Sequence, residues 1–339
     1  MKIQLQSLRV INCGPLRDVC IHFATDGDSP VTVLAGANGS GKTTVLELIV
    51  ALCEFAYPDE QTRVWPPILN RTEYARLEML IDGERVALYH GKKHPETVPR
   101  GNYLKRTPTG HQYEMTSHVL SNFTTALKAQ QAVLDKVREK EAVDDTGFLS
   151  RLLPEGDDIV PSLCYFPYMR FLPSLKAEQI HKEQTGHDWV YRYETPRSSQ
   201  GSLDSYLIWL DYAEPKVFDK VIAFLNALNF DGKKFGVSRR DLKATVTTSD
   251  GATHYSEQLS SGEQNILIML LELRRRLLPH SIVLIDEIEN SLHPAFQHRI
   301  VNGLKQLQEE TPFQLIVTSH SLTILEAFGT QSARILTQF

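Results

Sequence analysis

Gly36-Ala37-Asn38-Gly39-Ser40-Gly41-Lys42-Thr43 has the spacing G-x-x-x-x-G-K-[ST], a loop suited to holding phosphate. Its glycines let the backbone curl until successive N–H groups converge on an anion, and a helix starting there adds partial positive charge. In this pattern Lys42 reaches the outer phosphates of a nucleoside triphosphate, the Thr43 hydroxyl ligates Mg²⁺, and Thr44 belongs to the same helix start. A second unit, Ile282-Val283-Leu284-Ile285-Asp286-Glu287, is an apolar run ending in two carboxylates. Ligands of open α/β sheets sit at the carboxyl ends of the strands. Asp286 is therefore expected beside Thr43 on the metal's water shell, with Glu287 as the base for the attacking water.

Two further stretches carry polar residues at places where elements begin or end. Ser260-Ser261-Gly262-Glu263 opens an apolar helix. It reads either as an ordinary capped start or as an anion site made by serine hydroxyls at a helix N-terminus. Thr318-Ser319-His320-Ser321 closes a buried-looking strand, where His320 is structural or faces phosphate. His293, just before Pro294, is expected to be a helix-entry residue rather than a metal ligand.

The elements needed to position these groups are legible at both ends of the chain. Val31–Ala35 reads as a buried parallel strand and Thr44–Phe55 as a helix, so the phosphate loop joins strand to helix. Residues 3–11 and 18–24 alternate as paired strands around Asn12-Cys13-Gly14-Pro15. Turn-rich sequence then carries strand candidates at 76–81, 85–90 and 111–116, followed by a helix over 118–142. Ser162–Phe166 reads as a core strand, and the polar stretch 173–202 as a mobile surface segment. Helices follow at 203–213 and 215–228, then a strand at 242–248 with a hairpin turn at Ser249-Asp250-Gly251. The remainder predicts helix 262–278, strand 281–286, helix 294–310, strand 313–319, helix 321–328 and strand 333–338.

The expected fold class is α/β: a mixed or parallel core sheet flanked by helices, with an antiparallel β lobe and a helical insertion. Residues 1–57 and 160–339 would make the core, including a helical subdomain at about 203–278, and 58–159 the inserted lobe.

The 339 residues carry a net charge of −5, which gives no global signal for nucleic acid. Local basic clusters occur at Lys233-Lys234, Arg239-Arg240 and Arg274-Arg275-Arg276. The arginine triple reads as a solvated face at a helix C-terminus, where cations suit the dipole. Four cysteines without C-x-x-C spacing predict reduced, mostly buried thiols. The N-terminus lacks a signal-peptide apolar region, and no apolar run is long enough to span a membrane, so a cytoplasmic location is expected.

Taken in order, the phosphate loop, Leu259–Gln264, Asp286-Glu287 and His320 resemble the motifs of ATP-binding cassette (ABC) ATPases. That family's signature is usually Leu-Ser-Gly-Gly-Gln; here Ser261 stands for the first glycine and Glu263 for the glutamine. The resemblance implies that Ser260, Ser261, Gly262 and Glu263 contact ATP held by a second copy, so that ATP joins a dimer or higher oligomer. It makes His320 the switch histidine at the γ-phosphate and Asn290 and Ser291 part of a D-loop crossing the interface. The wording Asp286-Glu287-Ile288-Glu289-Asn290-Ser291-Leu292-His293-Pro294 is similar to RecF/SMC-related ATPases of the OLD type, and differs from transporter subunits. With 19 residues after His320 there is no room for the Toprim nuclease of OLD proteins, so a separate effector such as a nuclease, and possible DNA, are expected partners. No glutamine stands at the family's Q-loop position near Pro167–Arg170. Arg170 there is open to three roles: phosphate contact, contact with a neighbouring subunit, or a plain salt bridge. The resemblance thus implies an ATP- and Mg²⁺-dependent hydrolase acting in DNA maintenance or phage defence. An ATP-gated scaffold with slow turnover is the alternative.

Overall fold

The computed structural model describes residues 1–54, 67–91, 103–106, 112–115, 122–123, 125–130, 159–173, 175, 178–183 and 188–336. Three sheets account for its strands. The first is antiparallel and six-stranded, ordered β2-β1-β4-β5-β7-β6. It comprises β1 (Ile3–Cys13), β2 (Leu16–His22), β4 (Thr72–Ile81), β5 (Glu84–Gly91), β6 (Tyr103–Arg106) and β7 (Gln112–Met115). The second is six-stranded and parallel, ordered β15-β3-β14-β13-β8-β9. Its strands are β3 (Val31–Ala35), β8 (Leu163–Phe166), β9 (Val190–Arg192), β13 (Ser281–Ile285), β14 (Phe313–Ser319) and β15 (Ala333–Ile335). A small antiparallel sheet joins β10 (Lys234–Ser238), β11 (Lys243–Thr247) and β12 (Thr253–Tyr255). Besides helical residues 122–123 and 125–130, the described helices are α1 (Lys42–Glu54), α2 (Leu203–Ala213), α3 (Pro215–Ala227), α4 (Ser261–Arg276), α5 (Pro294–Glu310) and α6 (Leu322–Phe328).

The parallel sheet separates two apolar cores, and the period-2 alternation of its strands feeds both. Leu34, Leu163, Tyr165, Ile282, Leu284 and Ile316 join the core shared with α1 and the antiparallel sheet. Val33, Cys164, Phe166, Val283, Ile285 and Val317 face the other way, toward α2, α3, α4 and α5. Helix α1 lies between two sheets and has no wide polar face: Val45, Leu46, Leu48, Ile49, Val50 and Leu52 are all buried. Its C-terminal end is tied down by the Trp189 indole, which donates to the Cys53 carbonyl at 3.0 Å.

Most predicted elements appear within a few residues of their expected bounds, and the fold is the α/β class expected. His293 caps α5, with its Nδ1 accepting from Ala295 N–H at 3.3 Å. The strands of the antiparallel lobe share a sheet with the N-terminal hairpin, β4 pairing with β1 over Ile3–Cys13. Two expectations need revision. The stretch 173–202 is not simply a surface segment. It supplies β9 and buries Trp189, Tyr193 and Glu183. The arginine triple is not a solvated face. Arg275 has a side chain only 4% exposed and lies between Glu183 and Glu272, and Arg276 stacks on Tyr191 at 3.8 Å. Of the predicted helix 118–142, residues 122–123 and 125–130 are helical and carry the buried Phe123 and Leu127; the rest lies outside the described residues.

One buried amide locks the two large sheets together. Gln314 on β14 accepts from Leu5 N–H at 2.8 Å and donates to the carbonyls of Leu5 at 3.0 Å and Ala24 at 2.9 Å. Gln314→Leu would take the side-chain partner from two buried backbone groups of Leu5 and from the partly buried Ala24 carbonyl, the buried ones each worth about 1–3 kcal/mol. We expect a loss of roughly 2–5 kcal/mol in urea unfolding; a loss below about 1 kcal/mol would mean that water replaces the amide.

Candidate functional site

The parallel strands β3, β14 and β13 end within two residues of one another, and the motif residues stand on those ends. Ala35 of β3 pairs with Ser319 of β14, and Val317 of β14 with Ile285 of β13. The phosphate loop leaves β3 and enters α1, while Asp286 follows β13 and Thr318 lies one residue before the end of β14. The loop's tight path requires glycine. At Gly41, φ is +97°, and an added Cβ would lie 2.6 Å from the Leu16 side chain. At Gly36 the same atom would lie 2.6 Å from the Leu336 carbonyl oxygen. Lys42 is buried and its Nζ donates to the carbonyls of Gly36 at 2.8 Å and Ala37 at 2.9 Å, so its charge sits inside the curl of the loop.

Asp286 is fully buried and binds both sides of the cleft. The Thr43 hydroxyl donates to its Oδ2 at 2.9 Å and lies 3.1 Å from Oδ1, and the Thr318 hydroxyl donates to Oδ1 at 2.6 Å. Thr43 and Asp286 offer hard oxygen donors side by side, the donor set Mg²⁺ takes when phosphate oxygens and water complete its octahedron. Among the described residues no cluster of three or more His, Cys, Asp or Glu could hold a metal without such help. The residues therefore fit a nucleotide-bound Mg²⁺.

Glu287 is half-buried at a sharp corner with φ of +44°, a left-handed conformation that costs an ordinary residue about 1–2 kcal/mol. Its N–H donates to Thr318 Oγ1 at 2.7 Å, so one hydroxyl orients both carboxylate residues. Arg170 closes the corner from beneath. Its Nη1 donates to the carbonyls of Pro167 at 2.6 Å and Asp286 at 2.8 Å, with Phe166 at 3.5 Å, and its Nη2 donates to Glu287 O at 3.1 Å. Burial holds the guanidinium down to about 10, still cationic at neutral pH. These contacts are to backbone carbonyls, not the carboxylate of a plain salt bridge.

His320 is held by a residue whose role the sequence did not disclose. Glu289, buried, accepts from the His320 N–H at 2.7 Å and from Nδ1 at 2.9 Å, leaving a half-exposed ring whose Nε2 carries no proton in the neutral form. Asn290 and Ser291 follow: Asn290 Nδ2 donates to Tyr168 O at 2.7 Å, and Ser291 adopts φ of +62°. The helix start at α4 packs directly on this loop, for a Cβ on Gly262 would lie 2.6 Å from Ser291 O. Ser260 and Ser261 are exposed, but Glu263 is not. It folds back to cap the helix, accepting from Ser260 N–H at 3.1 Å and Ser260 Oγ at 2.8 Å, and ion-pairs with Lys233. Its side chain thus faces inward, contrary to its expected contact with a second copy's ATP. The contacts of Thr318, Glu289 and Arg170 are what the sequence reading did not foresee. The one signal available was Thr318 next to the end of a strand, directly after the apolar run Leu315–Val317.

Comparison with known proteins places this geometry among relatives. The family description "AAA domain" matches residues 7–185, and "AAA domain, putative AbiEii toxin, Type IV TA system" matches residues 175–326. "DNA replication and repair protein RecF" of Acinetobacter baylyi is 23% identical over 317 residues, covering 84% of this chain and 85% of that protein. "Retron Ec83 probable ATPase" of Escherichia coli is 37% identical over 90 residues, covering 23% of this chain and 16% of that protein. The solved structure of an SmcHead bound to the C-winged helix domain of ScpA aligns over 96% of this chain and 91% of that one, with TM-score 0.48 and 13% identity.

Burial pushes the Asp286 carboxyl above the ordinary range, against hydrogen bonds from Thr318 and Thr43 that favour the anion. A raised folded-state value means this group's contribution to stability is intact in acid and lost as pH climbs through that value. Asp286→Asn is expected to melt at or above the parent without nucleotide, the difference widening from acid to neutral pH, while Mg-ATP no longer raises its Tm. A variant that melts below the parent at neutral pH, or keeps the Mg-ATP shift, would contradict this.

Proposed function

We propose that this chain, a member of the AAA-domain family and similar to RecF over most of its length, is an ABC-type, Mg²⁺-dependent ATP hydrolase whose copies close around ATP. The observation that carries this reading is the pair of contacts from Thr43 to Asp286, which bring residues 243 apart in sequence to one cation-binding edge. Lys42 and the loop N–H groups take the β- and γ-phosphates, and Thr43 and Asp286 take the metal. Bound there, Mg²⁺ would offset charge on the transferring phosphoryl group. Glu287 accepts the proton of the attacking water, and His320, aimed by Glu289, faces the γ-phosphate.

The exposed Ser260 and Ser261 at the N-terminus of α4 meet the nucleotide of a second copy, with Asn290 and Ser291 beside them. Glu263 contributes by shaping that helix start. The dimer acts as a nucleotide-dependent regulator of a separate effector in DNA maintenance or defence, in keeping with the names of its relatives. Members of the local basic clusters are engaged within the chain: Lys233 pairs with Glu263, Arg239 with Asp211, Arg274 with Glu310, and Arg275 and Arg276 with Glu272. Regulation of a partner is therefore favoured over direct DNA binding by these residues. Among the described residues, no helix is long and apolar enough to cross a membrane.

Glu287→Gln should still bind ATP, hydrolyse it roughly 100- to 10,000-fold more slowly and accumulate as a dimer in mass measurements. Lys42→Ala should lose ATP binding. Parent-like single-turnover rates in Glu287→Gln would remove the base assignment, and unchanged binding in Lys42→Ala would remove the phosphate-loop assignment.

A further inference from the structure

The corner that presents Glu287 is strained, and its two carbonyls are gripped by one planar group. Residues 286–291 turn through left-handed conformations at Glu287 and Ser291, which persist only where neighbours over-determine them. From above, Thr318 fixes the corner through Glu287 N–H to its hydroxyl and Ile288 N–H to its carbonyl at 3.2 Å. From below, the Arg170 guanidinium reaches Asp286 O and Glu287 O from its two terminal nitrogens. The same group holds Pro167 O, and Tyr168 O is held by Asn290, so the loop after β8 and the loop after β13 are stitched together. A guanidinium fork sets the spacing between the carbonyls it binds, which a single ammonium nitrogen cannot do. Arg170 is 5% exposed, which keeps the fork away from competing water.

We infer that Arg170 is a positioning residue for hydrolysis: by fixing the carbonyls of Asp286 and Glu287 it sets where the Glu287 carboxylate stands relative to the attacking water. This deepens the proposed function and rests on Glu287 being the base. Arg170 touches neither substrate nor metal in this role. It acts through the peptide planes of the corner, so its loss displaces a carboxylate without removing a phosphate ligand.

The test compares Arg170→Lys and Arg170→Gln with the parent, each also combined with Glu287→Gln. Rates are normalised to the fraction of protein that binds a fluorescent ATP analogue, so that misfolded molecules drop out. Both single variants are expected to lose about 100-fold in kcat with KM for ATP within about twofold of the parent. In the Glu287→Gln background neither should cost anything further, because the group being aimed is already disabled. Parent-like kcat in Arg170→Lys and Arg170→Gln while Glu287→Gln remains slow overturns the inference and leaves the base assignment standing. An effect confined to KM, or an equal loss with and without Glu287→Gln, also overturns it. Parent-like rates in Glu287→Gln itself would instead remove the reading on which the inference rests.

Discussion

The closely aligned ends of β3, β14 and β13 are the constraint from which the site follows. Parallel pairing fixes Ala35 beside Ser319 and Val317 beside Ile285, and side chains one or two residues beyond those pairs cannot avoid one another. A one-residue slip in either pairing would turn the strand's apolar set to the wrong core and carry Asp286 or Thr318 away from Thr43. The register is therefore enforced by burial on both faces, not by the polar contacts at the site. Those contacts exploit an alignment that the hydrophobic effect has already established.

The same economy appears in α1. A helix that carries the phosphate loop must begin at the strand edge and then find cover along its whole length. The antiparallel sheet supplies that cover from one side and the parallel sheet from the other, which explains why the N-terminal hairpin and β4–β5 form a single sheet. Glu47 is the polar residue midway along the helix, and it is met by Arg192 at 2.6 Å and the Tyr165 hydroxyl at 3.0 Å. This ties α1 to β8 and β9 and makes the 188–193 segment part of the nucleotide side of the molecule.

Local pattern was enough to read much of this architecture. Strand alternation, the glycine spacing, Pro294 at a helix start and the Asp286-Glu287 pair each carry their meaning within a few residues. What could not be read locally were the partners of polar groups. Arg274-Arg275-Arg276 looks solvated in sequence because nothing nearby announces Glu183, nearly a hundred residues upstream and buried against it. Glu263 looks like an outward signature residue because Lys233 is thirty positions away. Arg170 looks like a charge in search of a charge, whereas its partners are carbonyl oxygens, which every residue has and no sequence distinguishes. The pairing of β1 with β4 was missed for a related reason: strand identity is local, but strand neighbours are a property of the assembled sheet.

Gly262 and the Ser291 carbonyl leave no space between them for even a methyl group. Two surfaces that close cannot slide without collision, and the Asn265 side chain pins them further by donating to Asn290 O at 3.0 Å. The serine tip of α4 and the loop after β13 are therefore packed as one unit, and a displacement of either would carry the other with it.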